Sequence, residues 1–164
     1  MKIFCTGNPA RKTIAYVLDP DMCASLSTGW NFETSESILQ FNNTIQDYTV
    51  FVNSAFVATG VQQLLMNTCY NKWMQQDIKG HIINIGTTLE NTNDTSDYTT
   101  SKQKLKCKSL RLSAKTGISG IKTSYVILGG IGPGMCDINH VGDTIKWIIE
   151  QPFRIPLIQI ESVK

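Results

Sequence analysis

The chain has 164 residues, 41% of them hydrophobic and 17% charged, and a formal net charge of +2. Such a length suits one domain, here 1–164, able to bury about two thirds of its extended surface, and the near-neutral charge gives little reason to expect nucleic acid as a partner. The opening MKIFCTGNPARK turns after a few apolar residues, so neither a signal peptide nor a membrane span is expected and the cytoplasm is the default location.

Lys2 to Cys5 reads as a first strand, and Thr6-Gly7-Asn8-Pro9 as a turn into a helix through Ile14, Ala15, Val17 and Leu18 that Asp19-Pro20-Asp21 breaks. Cys23 to Leu26 forms a second strand before the Ser27-Thr28-Gly29 loop. Thr34 or Ser35 caps a helix carrying Ile38, Leu39, Phe41 and Ile45. Tyr48 to Val52 is a nearly continuous apolar run, the pattern of a strand covered on both faces. Val61, Leu64, Leu65, Thr68, Cys69 and Trp73 then recur at helical spacing.

His81 to Ile85 is a further strand, ending at Gly86-Thr87-Thr88, and Glu90 to Asp97 is polar and turn-like. Tyr98 to Lys115 forms a helix with Leu105, Cys107, Leu110 and Leu112 as apolar contacts. Lys122 to Leu128 returns to strand, and Gly129 to Gly134 is a flexible loop. Asn139 can cap a last helix with a stripe of Val141, Ile145, Ile148 and Ile149, Asp137 and Asn139 both reading as cap or loop residues; Pro152 stops the helix, and Ile155 to Ile160 is the final strand.

Strands alternating with helices predict a mostly parallel sheet of about six or seven strands, covered on both faces and joined by right-handed crossovers. Open sheets of this kind bind ligands at the carboxyl ends of their strands, which directs attention to the loops after Cys5, Val52, Ile85 and Leu128. One helical turn places Tyr98 and Lys102 on the same face. A cation beside a phenol favours the phenolate and makes tyrosine usable as a general acid or base near neutral pH. The five cysteines are an odd number without a CxxC pair and read as mostly buried thiols. His81 and His140 lack ligand-spaced partners, so no metal site is expected. Lys104, Lys106, Lys108, Arg111 and Lys115 read as a solvated helix face, with a phosphate-binding patch as the alternative.

The order Ile82-Ile83-Asn84-Ile85-Gly86-Thr87-Thr88, polar loop, then Tyr98-Thr99-Thr100-Ser101-Lys102 resembles the short-chain dehydrogenase/reductase family, whose Tyr-x-x-x-Lys follows a strand with a Ser- or Thr-bearing loop. Val50-Phe51-Val52-Asn53-Ser54-Ala55 is similar to its strand ending in Asn-Asn-Ala-Gly, and Val126 to Ile131 to the strand and loop that border the nicotinamide. The resemblance implies a three-layer Rossmann-like fold and hydride transfer between NADP or NAD and a small carbonyl or alcohol. It assigns Tyr98 to proton exchange, Lys102 to the nicotinamide ribose, Thr87 to the substrate carbonyl, and Asn67 as the nearest counterpart of the family's helical asparagine. Thr6, Gly7, Asn53, Gly129 and Gly130 fall at cofactor-binding positions.

Two motifs depart from the family. In place of Thr-Gly-x-x-x-Gly-x-Gly the chain has Thr6-Gly7-Asn8-Pro9-Ala10-Arg11-Lys12-Thr13, with Arg11 or Lys12 offering charge where the glycines would offer space. After the second strand, Ser27 and Thr28 provide hydroxyls for a ribose or a phosphate, and the lack of a carboxylate there inclines the choice toward NADP. The segment between Gly134 and Asn139 is too short for a substantial lid. An alternative is a catalytically inactive nucleotide-binding or regulatory protein on the same fold. Either implies a homo-oligomer paired through the Val61 to Met74 and Tyr98 to Lys115 helices.

Overall fold

The computed structural model describes residues 1–10, 12–131 and 135–161. Arg11 and the Gly132 to Gly134 part of the glycine-rich loop lie outside them. Six strands, β1 (Ile3–Thr6), β2 (Met22–Ala24), β3 (Val50–Asn53), β4 (His81–Thr87), β5 (Lys122–Leu128) and β6 (Leu157–Ile160), form one sheet in the order β2-β1-β3-β4-β5-β6. Every neighbouring pair is parallel. The connections carry α1 (Ile14–Leu18), α2 (Ser35–Thr44), α3 (Val61–Gln75), α4 (Asp97–Ser113), the short α5 (Thr116–Ser119) and α6 (Ile138–Glu150).

Alternation along the strands sorts the core into two layers. Phe4, Phe51, Ile82 and Tyr125 point to the side of α2, α3 and α4, where they meet Phe41, Leu65, Met66, Cys69, Trp73 and Leu105. Cys5, Val52, Ile83 and Val126 point the other way, onto Ile14 and Leu18 of α1 and the Val141, Ile145, Ile148, Ile149 stripe of α6. The three-layer arrangement is the one expected. Aromatic rings dominate the first layer: Phe4 stands edge-on to Trp30, Phe41 and Tyr48 at centroid distances of 5.5, 5.3 and 5.3 Å. The Trp73 indole N–H, buried among them, donates to the Ile45 carbonyl at 3.0 Å, as a buried ring N–H must find an acceptor. His81 is neutral: its Nε2 lies 2.8 Å from Ser124 Oγ, and burial, with Lys122 nearby, pushes its pKa down to about 3.

Several local expectations shift. Leu64, expected in the buried stripe of its helix, is 47% exposed, and Met66 takes the sheet-facing place. On α4 the buried residues are Thr99, Ser101, Lys102, Leu105, Ser109, Leu112 and Ser113, whereas Cys107, expected as an apolar contact, is exposed. The last helix is capped by Asp137, not Asn139: the Asp137 side chain accepts the Asn139 N–H at 2.9 Å, because the helix begins one residue before Asn139. The polar stretch after β4 contains a 3-10 turn, Thr88–Asn91, in which Glu90 is buried.

Candidate active site

β2 lies on one side of β1 and β3 on the other, so the carboxyl ends of β1 and β3 form the crevice where strand order reverses. The Thr6 hydroxyl accepts the N–H groups of Ser54 and Ala55 at 3.0 and 3.2 Å, and Ser54 Oγ donates to the Thr6 carbonyl. These bonds lace the two strand ends together. Gly7 follows with φ of +144°, a conformation that favours glycine; a Cβ there would also meet Ser54 Oγ at 3.0 Å. Its N–H donates to the Ala24 carbonyl at 2.9 Å, tying the turn to β2. Beyond Gly7 the turn is closed by side chains rather than glycines. Asn8 accepts the Ala10 N–H, and Thr13 donates to the Asn8 carbonyl at 2.7 Å while capping Tyr16 N–H of α1.

A cleft of about 380 Å³ opens here between Gly7, Asn8, Ser25, Ser27, Trp30, Phe32, Ala55 and Phe56, within the roughly 300–1,000 Å³ span of small-molecule sites. Ser27 is exposed, with its hydroxyl 2.8 Å from Ser25 Oγ. Thr28 is spent on its own turn, donating to the Cys23 carbonyl and accepting the Ser25 N–H at 2.9 Å. Glu33 also lines the cleft. The loop after β2 thus brings a carboxylate to the cleft from further along the chain, so the lack of one directly beside Ser27 and Thr28 gives no ground for preferring NADP.

Asn53 is fully buried, and its amide points into the protein instead of the cleft. Its Nδ2 donates to the Gln62 carbonyl at 2.7 Å and to Asn84 Oδ1 at 2.9 Å; Gln62 Nε2 returns a bond to the Asn53 carbonyl at 2.9 Å. Asn84 continues to Ser109 Oγ at 3.2 Å. This chain of amides joins β3, α3, β4 and α4 beneath the crevice. Gln62, not singled out from sequence, is the α3 residue in it. Asn67 sits half-buried on α3, off the stripe of Gln62, Leu65, Met66, Cys69 and Trp73 that is buried.

Tyr98 and Lys102 do come together. Ser96 caps α4 through the Thr99 N–H at 3.2 Å, and Asp94, bonded to Ser96 and Thr99, secures the first turn that carries Tyr98. The Lys102 ammonium lies 5.5 Å from the Tyr98 ring centroid and donates to the Ile85 carbonyl of β4 at 2.7 Å. Burial lowers its pKa to about 8, with the Glu90 carboxylate opposing the drop. Phe56, which stands directly after Asn53-Ser54-Ala55 where the resembled motif has glycine, packs edge-on to Tyr98 at 4.8 Å and lies 6.0 Å from the Lys102 ammonium. Because Phe56 also lines the cleft, its ring forms the wall between cleft and pair. Thr87 ends β4 two residues past the lysine's acceptor, and its hydroxyl accepts the Leu89 N–H at 3.4 Å. Gly129 and Gly130 follow β5; Gly129 N–H donates to the Ile160 carbonyl and the Gly130 carbonyl accepts the Cys136 N–H, each at 2.9 Å.

No protein-family model matches the chain, and no curated protein matches it in sequence. Among solved structures it is similar to a short-chain dehydrogenase from Leptospira borgpetersenii with bound NAD+, at TM-score 0.76 and 12% identity over 97% of this chain and 90% of that one. A metagenomic short-chain oxidoreductase in complex with NADP matches at TM-score 0.75 and 16% identity, over 97% of this chain and 96% of that one. Acetoin dehydrogenase from Enterobacter cloacae matches at 0.76 and 13%, over 98% and 95%. The chain thus has the Rossmann-like fold found in these short-chain oxidoreductases.

Proposed function

We propose that the protein is an NAD(P)-dependent oxidoreductase that interconverts a carbonyl and an alcohol, with Tyr98 exchanging the proton. The observation that carries this reading is the Lys102 ammonium held 5.5 Å from the Tyr98 ring at the carboxyl edge of a parallel sheet. That two similar structures hold NAD+ and NADP supports the choice of cofactor. The residues present fit a dinucleotide: the cleft offers the Gly7-Asn8 turn at its floor, hydroxyls at Ser25 and Ser27, and aromatic walls at Trp30 and Phe32. When bound, the nicotinamide supplies or accepts the hydride. Lys102, with one N–H on the Ile85 carbonyl, retains two donors for ribose hydroxyls. Thr87 holds the substrate oxygen, and the Tyr98 hydroxyl passes a proton to it or takes one away. Phe56 must turn aside for the second nucleoside to reach Tyr98. A cytoplasmic location and a homo-oligomer formed through α3 and α4 belong to the same proposal.

Phe56 favours a second reading, in which its ring stays against Tyr98 and the cleft accepts a nucleotide without turnover. Calorimetric titration with NADP and NAD separates the two. The altered phosphate turn should leave binding on the order of tens of micromolar or weaker, at about 1.4 kcal/mol per tenfold. Loss of that binding in Lys102→Ala, and a drop of about a hundredfold or more in carbonyl reduction in Tyr98→Phe, support the oxidoreductase. Saturable binding that Lys102→Ala leaves intact, with no carbonyl reduction, favours the second reading, and an absence of heat at millimolar dinucleotide sinks the oxidoreductase.

A further inference from the structure

Glu90 has its side chain wholly withdrawn from solvent beside the site, yet the reaction just described makes no use of it. An ionised carboxylate is costly to bury unless paired and hydrogen-bonded, and an apolar side chain would fill the core as well. Its partners converge on one turn of α4. Tyr125 Oη, from β5, lies 2.5 Å from Glu90 Oε2 and 3.0 Å from the Lys102 carbonyl. Lys106 Nζ forms an ion pair with Oε1 at 3.0 Å, and Gln103 Nε2 donates to the Glu90 carbonyl at 3.0 Å. Gly86 of β4 makes this possible, since a Cβ there would overlap the Tyr125 ring. Tyr125 is itself fully buried, which removes it from contact with any substrate.

We infer that Glu90 is a positioning residue of the Tyr98–Lys102 site: with Tyr125 it clamps the Lys102 turn of α4 against β4 and β5, and it provides the buried negative charge that answers the Lys102 ammonium. The inference rests on the oxidoreductase reading for its effect on turnover, while the clamp rests on the contacts themselves. The groups set around Lys102 are Glu90 from the turn after β4, Tyr125 from β5 and Tyr98 from α4; Lys106, one turn on along α4, shares the Glu90 carboxylate, and Phe56 adds a ring without charge. Glu90 supports the lysine's proton against burial.

The test labels lysine side chains with carbon-13 and follows their titration by NMR in the full chain, the Lys102 signal being assigned by its loss in Lys102→Met. In Glu90→Gln, which keeps the length and an acceptor, the Lys102 midpoint should fall by about one unit, a tenfold loss of proton affinity. In Lys106→Met, at a partly exposed position, it should rise, because the shared carboxylate then answers one cation instead of two. An unchanged midpoint in Glu90→Gln overturns the inference. If that variant fails to fold, an unchanged or lowered midpoint in Lys106→Met does so. In turnover, the basic limb of kcat/KM should move down in Glu90→Gln together with the NMR midpoint, a change that a purely structural role would not produce. Wild-type protein without turnover at any pH defeats the oxidoreductase reading and leaves the titration to judge the clamp.

Discussion

Replacing Lys102 with methionine preserves side-chain length and removes the charge, and the stability of the variant should report the cost of burying that charge. Burial brings the lysine from 10.5 to about 8. At about 1.4 kcal/mol per tenfold in proton affinity, the folded protein carries roughly 3 kcal/mol of unfavourable energy whenever the lysine is charged in both states. Below pH 8 that penalty is fully present. Between 8 and 10.5 the unfolded chain still binds the proton that the folded protein has released, so wild-type stability gains with rising pH relative to the variant. Above 10.5 the gain is complete. The stability difference between Lys102→Met and wild type should therefore move by about 3 kcal/mol in favour of wild type from pH 7 to 10.5, most of it between 8 and 10. Cys5, pushed up to about 12 by burial, and the raised Cys69 and Tyr125 weaken both proteins in alkali and cancel in the comparison. Urea denaturation followed by tryptophan fluorescence at stepped pH measures it. A difference that is flat across the range, or that moves in favour of methionine, refutes the reasoning.

Tyr125→Phe takes from Glu90 its 2.5 Å donor, and a hydrogen bond to a charged group is worth about 1.5–3 kcal/mol; a urea midpoint indistinguishable from wild type would show the carboxylate to be satisfied some other way. Asp137→Ala should cost about 1 kcal/mol as a lost helix cap, whereas Asn139→Ala should change the melting point little, and the reverse order would restore Asn139 as the cap. Cys107 should react promptly with a thiol-specific chromogenic disulfide, while the buried Cys5 and Cys69 stay unreactive until denaturant is added; rapid release at more than the exposed and half-buried thiols would contradict the packing of the two layers.

Helix and strand positions were legible because each rests on a signal within a few residues. The apolar run at Val50 to Val52 and the stripe from Val141 to Ile149 are buried as their spacing predicts. Tyr98 and Lys102 were legible for the same reason, since one helical turn joins them. Leu64 departs from its expected burial because periodicity identifies a stripe on a helix without stating how that helix rolls against the sheet. Here α3 turns Gln62 and Met66 inward to meet Asn53 and Asn84, and Leu64 is left outside. Glu90 has only the signature of a polar turn in the sequence, because nothing nearby announces Tyr125, which lies 35 residues further on.

The alternation of elements, the parallel sheet it implies and the placing of Tyr98 beside Lys102 on one face all follow from the sequence, as consequences of local periodicity and of one helix turn. Only the tertiary structure decided what surrounds that pair: the Phe56 ring between cleft and Tyr98, Glu33 at the cleft wall, and a buried carboxylate tied through Tyr125 to the Lys102 turn. These depend on which strands lie side by side and on how far each helix is rotated over them, and such distances are set by packing between segments far apart in the chain.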